Sequence, residues 1–352
     1  MTEFMINITR DFANNMDYSK VKNEIIYLAD QAPENYSMLF NENQSIDVKS
    51  IDLSSITSCL ESGILYKDAL KIFSKYYIFR FDGDIFLCDW KGNNTDEVFR
   101  PYIEEVSLCS KFYLPNSDNL NLLELGCGCG IYGIRAAHKK FAKVDSYDIN
   151  HRAIKLANIN SHINSKNSNI KHNIGNLYDS VDDKYDLIIS GLPYVPVMND
   201  KQAKIYCNGG LDGLEIFRKS MIGSIEHLVI GGEYRAYLMS LGDENHASIE
   251  KELPMLFSNG IWNLELTYIY PKPFSFYDWY CYKNQTLSEQ EKLWLETLKK
   301  QFKNFMHYCL IKAKLVDDNS KYFKNTIDIK MWESAYEYNI PYSSGSKQNN
   351  LQ

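Results

Sequence analysis

The chain of 352 residues is 45% hydrophobic and 24% charged, an ordinary balance for about two packed domains that excludes disordered, collagen-like and mucin-like proteins. Lys plus Arg number 38 against 45 Asp plus Glu, a net charge of −7, which argues against a nucleic-acid partner held by clustered positive charge. No apolar run reaches the roughly 18 residues that span a bilayer. Residues 1–14 carry Glu3, Arg10 and Asp11 and lack a signal-peptide core, and the eight scattered cysteines contain no Cys-x-x-Cys pair; free thiols in a reducing cytoplasm are the expectation.

In chain order, residues 1–118 read as an N-terminal accessory or cap region. Helical patterning extends to Leu70. Two β-rich runs, Tyr76-Tyr77-Ile78-Phe79-Arg80-Phe81 and Asp84-Ile85-Phe86-Leu87-Cys88, flank Asp82-Gly83 and predict a hairpin. A loop over 92–96 follows, and Pro101 suits the first turn of a helix running to Phe112. From residue 119 short apolar strands alternate with amphipathic helices, the pattern of an α/β domain. Strands are expected over 122–125, 144–148, 186–190, 234–239, 264–270 and 308–315, with a helix over 151–162 behind the cap Asn150. Leu214, Phe217, Met221, Ile225 and Leu228 mark a further helix, with Gly231-Gly232 as its stop.

This domain spans 119–316, carries an insertion over 271–305, and is followed by a C-terminal extension, 317–352. Residues 268–282 hold eight aromatics. Thr286-Leu287-Ser288-Glu289 offers a capping box for a helix through Phe305, whose stripe of Trp294, Leu298, Phe302 and Phe305 reads as packing. The tail from Ser343 reads as frayed.

The chemistry concentrates in two strand ends. Glu124-Leu125-Gly126-Cys127-Gly128-Cys129-Gly130 follows one strand and opens a helix. Its alternate glycines let the backbone turn tightly and approach a ligand, and the helix start favours a negative group. Asp148 lies 18 residues after Gly130 at the end of the next strand, where a carboxylate accepts hydrogen bonds from both ribose hydroxyls. Loop and acid together indicate an adenosine-containing cofactor. From Gly128 the loop also satisfies G-x-G-x-x-G through Gly130 and Gly133, which keeps NAD open; against it, Glu124 sits awkwardly beside a pyrophosphate and suits a ligand with an amino group or sulfonium. The loop, the preceding Glu and the later Asp resemble the first two motifs of class I S-adenosylmethionine-dependent methyltransferases.

The second strand end is Asp186-Leu187-Ile188-Ile189-Ser190-Gly191-Leu192-Pro193-Tyr194-Val195-Pro196. It resembles the Asn-Pro-Pro-Tyr motif of amino-group methyltransferases, including the protein-glutamine methyltransferases, and Gly209-Gly210-Leu211-Asp212-Gly213-Leu214-Glu215 is similar to the stretch that follows it there. The resemblance covers roughly residues 122–239. It implies a Rossmann-like sheet with an added N-terminal α+β region and an aromatic insertion before the last strand. It implies S-adenosylmethionine held by Glu124, Gly126, Gly128, Gly130, Asp148 and Asn176, and an acceptor met by Gly191, Pro193 and Tyr194, with no metal. Gly191 stands where the family has its Asn and Leu192 where it has its first Pro, while Asn176 replaces an Asp facing the adenine. The altered motif, the acidic balance and the aromatic insertion lead to the expectation of a small-molecule acceptor. The alternatives are a protein-glutamine-type methyltransferase, an RNA or DNA amino-methyltransferase, and a non-catalytic cofactor-binding protein.

Three further candidates carry bland readings. Glu104 and Glu105 lie on the helix whose counterpart in related methyltransferases approaches the cofactor, yet solvated acids are the default. His307 could be a base but reads as structural. Asp212 near the site is equally a helix cap.

Overall fold

The computed structural model describes residues 16–92, 94, 96–116, 118–164, 169–198, 203–284, 286–318 and 326–331. The expectations for residues 1–14 and for the tail from Ser343 lie outside these.

The N-terminal region is α1 (Tyr18–Gln31), α2 (Pro33–Phe40), β1 (Ile46–Asp47), α3 (Thr57–Glu61), β2 (Leu65–Asp68), β3 (Lys71–Ser74), and the hairpin β4 (Tyr77–Phe81) and β5 (Asp84–Cys88). The hairpin is as expected, turning at Asp82-Gly83. The mixed helical patterning up to Leu70 covers α1 to α3 but not the small antiparallel sheet of β1, β3 and β2. Their strands are too short to show a period-2 pattern, so the sequence signal for them is weak.

Next come α4 (Ile103–Tyr113), β6 (Asn121–Leu125), α5 (Ile131–His138), β7 (Lys143–Asp148), α6 (His151–Asn164), β8 (Ile170–Ile174) and β9 (Tyr185–Ser190). Pro101 falls ahead of the cap Tyr102 rather than inside α4. The chain continues with α7 (Glu215–His227), β10 (Leu228–Gly242), α8 (Ser248–Leu256), β11 (Ile261–Tyr268), β12 (Phe274–Ser275), α9 (Phe276–Lys283), α10 (Glu289–Phe302), β13 (Phe305–Asp317) and β14 (Thr326–Met331).

The main sheet runs β14-β11-β13-β10-β9-β6-β7-β8. β8, β7, β6, β9 and β10 are parallel, and β13 is antiparallel to both β10 and β11. The chain moves outward from β6 through β7 to β8, then crosses back to β9 on the other side of β6. The crevice above the carboxyl ends of β6 and β9 is therefore the switch point at which open α/β sheets bind ligands. The α/β reading is correct, with three strands added to those expected: β8, the short β12 and the edge strand β14.

Three boundaries differ. Gly231-Gly232 does not stop α7. The helix ends at His227, Leu228 is already paired with Tyr185 in β10, and the glycines occupy a register irregularity before Glu233, with Gly231 at φ +87°. The capping box pairs Ser288 with Glu291 instead of Thr286 with Glu289. Phe305 belongs to β13, because Lys303 (φ +67°) turns the chain out of α10.

The N-terminal region does not sit over the sheet's carboxyl edge as a whole. Val21, Ile25, Leu28, Ile78 and Phe86 share one core with Ile131 and Ile134 of α5 and with Ala153, Leu156 and Ile159 of α6. Buried Asn160 ties this interface together, bonding Leu87 at both its N–H and C=O and also the Cys129 carbonyl. Among the described residues of this region, Asp89, Glu97, Phe99 and α4 reach the carboxyl edge: Asp89 pairs with Arg152, Glu97 with Lys204, Phe99 packs on Tyr206, and Glu105 of α4 meets Tyr194.

Candidate active site

The glycine loop is shaped by its neighbours. Gly126, Gly128 and Gly130 all have positive φ, at +75°, +54° and +84°, the region that disfavours side chains. The amides of Gly126 and Cys127 donate to the Tyr147 carbonyl at 2.8 and 3.1 Å. A Cβ on Gly126 would lie 2.9 Å from the Gly191 carbonyl oxygen, so the close approach of the two strand ends requires glycine at 126. Gly133, the last glycine of the dinucleotide-type pattern, is a packing position: a Cβ there would lie 2.6 Å from Ser146 Oγ and 2.7 Å from Glu124 Oε2.

Asp148 ends β7 beside this loop. Its Oδ2 accepts the Gly128 N–H at 2.9 Å and its Oδ1 accepts the Asn150 N–H at 2.8 Å. Burial raises its carboxyl above the ordinary value, opposed by those two amides. Glu124 is 1% exposed. Its Oε2 accepts from Ser146 Oγ at 2.6 Å, while Oε1 is buried with no partner. Burial pushes this carboxyl up to about 8. A buried acid with an empty oxygen suits an arriving cationic group. Asn176 lies past β8 with its side chain exposed, so it meets no fixed partner of the loop.

At the end of β9, Gly191 is exposed, Leu192 buried, and Pro193 and Tyr194 half-buried. Sequence similarity alone marked the 209–215 stretch; the structure supplies its physical reason. Val195 and Val197 donate to the carbonyls of Cys207 and Gly210, and Gly209 donates to Val195. Gly213, at φ +86°, comes so close to the Tyr194 carbonyl that an added Cβ would lie 2.4 Å from it. This segment braces the motif. Asp212 accepts the Leu214 N–H just ahead of α7 and pairs with Arg218, a structural role, although it is not the N-cap of the helix. His307 is buried against Tyr268 and bonds the Asp243 carbonyl, also structural.

The Tyr194 ring stands edge-on to Tyr237 (centroids 5.5 Å) and to Tyr308 (6.3 Å). Its hydroxyl lies 3.4 Å from Glu105 Oε2. Helix α4 is pinned here by Tyr113, whose hydroxyl donates to the Ser190 carbonyl and accepts the Tyr237 N–H, both at 2.9 Å. Glu105 is thus no solvated surface acid, as the sequence suggested, but part of this cluster. Its signal was invisible because the residues around it come from α4, β9, β10 and β13.

A parallel-stranded sheet whose switch point joins a glycine loop, a ribose-type acid and an aromatic strand end defines a Rossmann-like enzyme for a nucleoside cofactor. Residues 105–206 match the methyltransferase small domain family. The chain is 33% identical over 165 residues to a Methanocaldococcus jannaschii protein provisionally named a protein N5-glutamine methyltransferase, covering 46% of this chain and 81% of that one. It is 32% identical over 121 residues to the ribosomal protein uL3 glutamine methyltransferase of Bradyrhizobium diazoefficiens (32% and 38%). With the release factor glutamine methyltransferase of Lactococcus lactis it shares 27% identity over 156 residues (41% and 57%). The chain belongs to the class I S-adenosylmethionine-dependent methyltransferases. Its cofactor is S-adenosylmethionine, which disposes of NAD.

These relatives overturn the expectation of a small-molecule acceptor, since their names specify protein substrates. The aromatic insertion that prompted it is largely used up in packing: Phe276, Trp294, Leu295 and Leu298 form one core with Met239, Leu241 and Met306. No helix among the described residues is long and apolar enough to cross a membrane.

Proposed function

We propose that this protein is a methyltransferase of the protein-glutamine type, acting in the cytoplasm on the side-chain amide of a protein acceptor. The carrying observation is the strand end Gly191-Leu192-Pro193-Tyr194, exposed at Gly191 and braced by 209–213 beside the glycine loop. Exposed apolar residues rim that edge: Tyr102 is 63%, Ile103 52% and Leu211 63% exposed, a surface suited to a protein partner. Residues 119–316 form the catalytic domain in this reading, with 1–118, the insertion 271–305 and the 317–352 extension as additions.

In this reading Asp148 accepts the ribose hydroxyls, Gly126, Gly128 and Gly130 let the cofactor lie against backbone, Asn176 faces the base, and the unpartnered Glu124 oxygen receives a cationic group. The fit is chemical: an orphaned buried carboxylate oxygen, and open space at Gly128 where any other residue would place a Cβ. The cofactor supplies an electrophilic methyl on a sulfonium. The chain's own work is alignment and exclusion of water. With no Asn at 191, the Gly191 and Leu192 carbonyls and the Tyr194 ring orient the acceptor amide.

The test uses cofactor tritiated in its methyl group, with purified ribosomal proteins and release factors as acceptors. Acid hydrolysis of N-methylglutamine frees volatile tritiated methylamine, whereas methylated lysine does not. Methylamine recovery is the expected result, and label confined to amines or absent from protein refutes the assignment.

Glu124 also makes a pH-dependent prediction. Its folded carboxyl lies near 8, above the unfolded value of about 4.3, so the folded chain holds this proton more tightly. Its contribution to stability is complete below the unfolded value and is lost as pH rises through about 8. Between pH 5 and 8.5 the Tm of the cofactor-free protein is expected to fall more steeply for wild type than for Glu124→Gln. A cationic ligand reverses the penalty, so cofactor binding at pH 7 is expected to release a proton, read by calorimetry in two buffers of different ionisation enthalpy. Parallel Tm profiles and no proton release would remove Glu124 from the site.

A further inference from the structure

We propose that Glu105 is the proton-accepting partner of Tyr194, taking up through the Tyr194 hydroxyl the proton that an acceptor amide loses on methylation; this rests on the glutamine-type reading above. The need comes from the balance of the reaction. The acceptor nitrogen forms the N–CH3 bond while the C–S bond breaks and its electron pair stays on sulfur. The nitrogen then carries a positive charge until an N–H proton leaves. A protonated amide is a strong acid, but its proton still requires a route out of a site closed to water.

The geometry offers one route. Tyr194 belongs to the strand end that meets the acceptor, and its hydroxyl points at Glu105 Oε2, 3.4 Å away, a distance that apo sites often show before tightening. The hydroxyl accepts the amide proton as it passes its own to the Glu105 carboxylate, leaving neutral tyrosine and a carboxylic acid. Tyr237 and Tyr308 hold the ring edge-on. Tyr113 fixes α4 to the end of β9 and to Tyr237 within β10, which restrains the acid's helix.

The groups around Glu105 are suited to this task. Cys109 and Tyr113 of its own helix, Tyr132 of α5, Tyr194 after β9 and Tyr237 of β10 all feel its charge. Each is neutral near pH 7, and no positive group contributes to the titration of Glu105. Burial raises the carboxyl to about 7, opposed by the Tyr194 hydrogen bond. A proton acceptor working near its own pKa is close to the optimum for transfer.

Two measurements on the full chain test this. The first needs no acceptor: the side-chain carboxyls are labelled with 13C, the Glu105 signal is assigned by its loss in Glu105→Gln, and its titration is followed in wild type and Tyr194→Phe. A midpoint near 7 that rises in Tyr194→Phe is expected, and a midpoint in the ordinary carboxylate range overturns the proposal. The second is tritiated methyl transfer to ribosomal proteins and release factors across pH 5.5–8.5. Wild-type kcat is expected to rise through about pH 7, and Glu105→Gln to lose on the order of 100-fold in kcat together with that rise, at little cost in KM. Label found on amines with the same Glu105→Gln loss sinks the glutamine reading alone. Methylated glutamine formed equally by Glu105→Gln sinks the role of Glu105 alone.

Discussion

Tyr194→Ala is expected to slow methyl transfer on the order of 100-fold, the loss that follows when an acceptor is misplaced by about 1 Å. The ring is held edge-on by Tyr237 and Tyr308, and its backbone by the brace that brings Gly213 against the Tyr194 carbonyl. That rigidity is what an orienting surface requires, and alanine leaves a gap in its place. Cofactor affinity should survive, because Asp148 and the glycine loop lie at the ends of β7 and β6, while the ring follows β9. Tyr194→Phe separates the two roles of the residue. It keeps the packing against Tyr237 and Tyr308 and removes only the hydroxyl near Glu105, so a loss approaching that of alanine assigns the effect to the proton route. Measured as initial rates at saturating cofactor, wild-type turnover by Tyr194→Ala would make this strand end a structural feature.

Asp148→Ala is expected to weaken cofactor binding by about 1.5–3 kcal/mol, the worth of hydrogen bonds to a charged acceptor. Part of that loss is organisation of the loop, since Asp148 also accepts the Gly128 and Asn150 amides. Asp148→Asn keeps one acceptor oxygen and should fall between the two. Calorimetry with S-adenosylhomocysteine gives the affinities, and thermal unfolding without ligand gives the loop's share. Equal affinity of wild type and Asp148→Ala would place the ribose elsewhere.

Much of this was legible in the residues because the signals are local. Leu122, Leu123 and Leu125 are an apolar run on one strand, Gly126 to Gly130 are contiguous, and Asp148 follows at a spacing set by one helix and one strand. The hairpin around Asp82-Gly83 is equally local. Boundaries failed where two local rules competed: Ser288 could pair with Glu291 as readily as Thr286 with Glu289, and Gly231-Gly232 could stop a helix or bulge a strand. The small-molecule expectation failed for a different reason. A cluster of aromatics looks the same in composition whether it lines a cavity or fills a core, and here Phe276 and Trp294 fill one.

The sequence by itself determined the α/β domain, its glycine loop and the Pro193-Tyr194 strand end, because each is a short-range pattern of polarity, turn residues and spacing. Tertiary structure alone decided the rest. It set Glu105 beside Tyr194, 89 positions apart in the chain, where a half-buried setting raises its carboxyl above the ordinary value. It also decided that Gly126 must lack a side chain, since the parallel pairing of β6 with β9 brings the Gly191 carbonyl against it. Burial and close approach are properties of the packed sheet, and no window of sequence contains them.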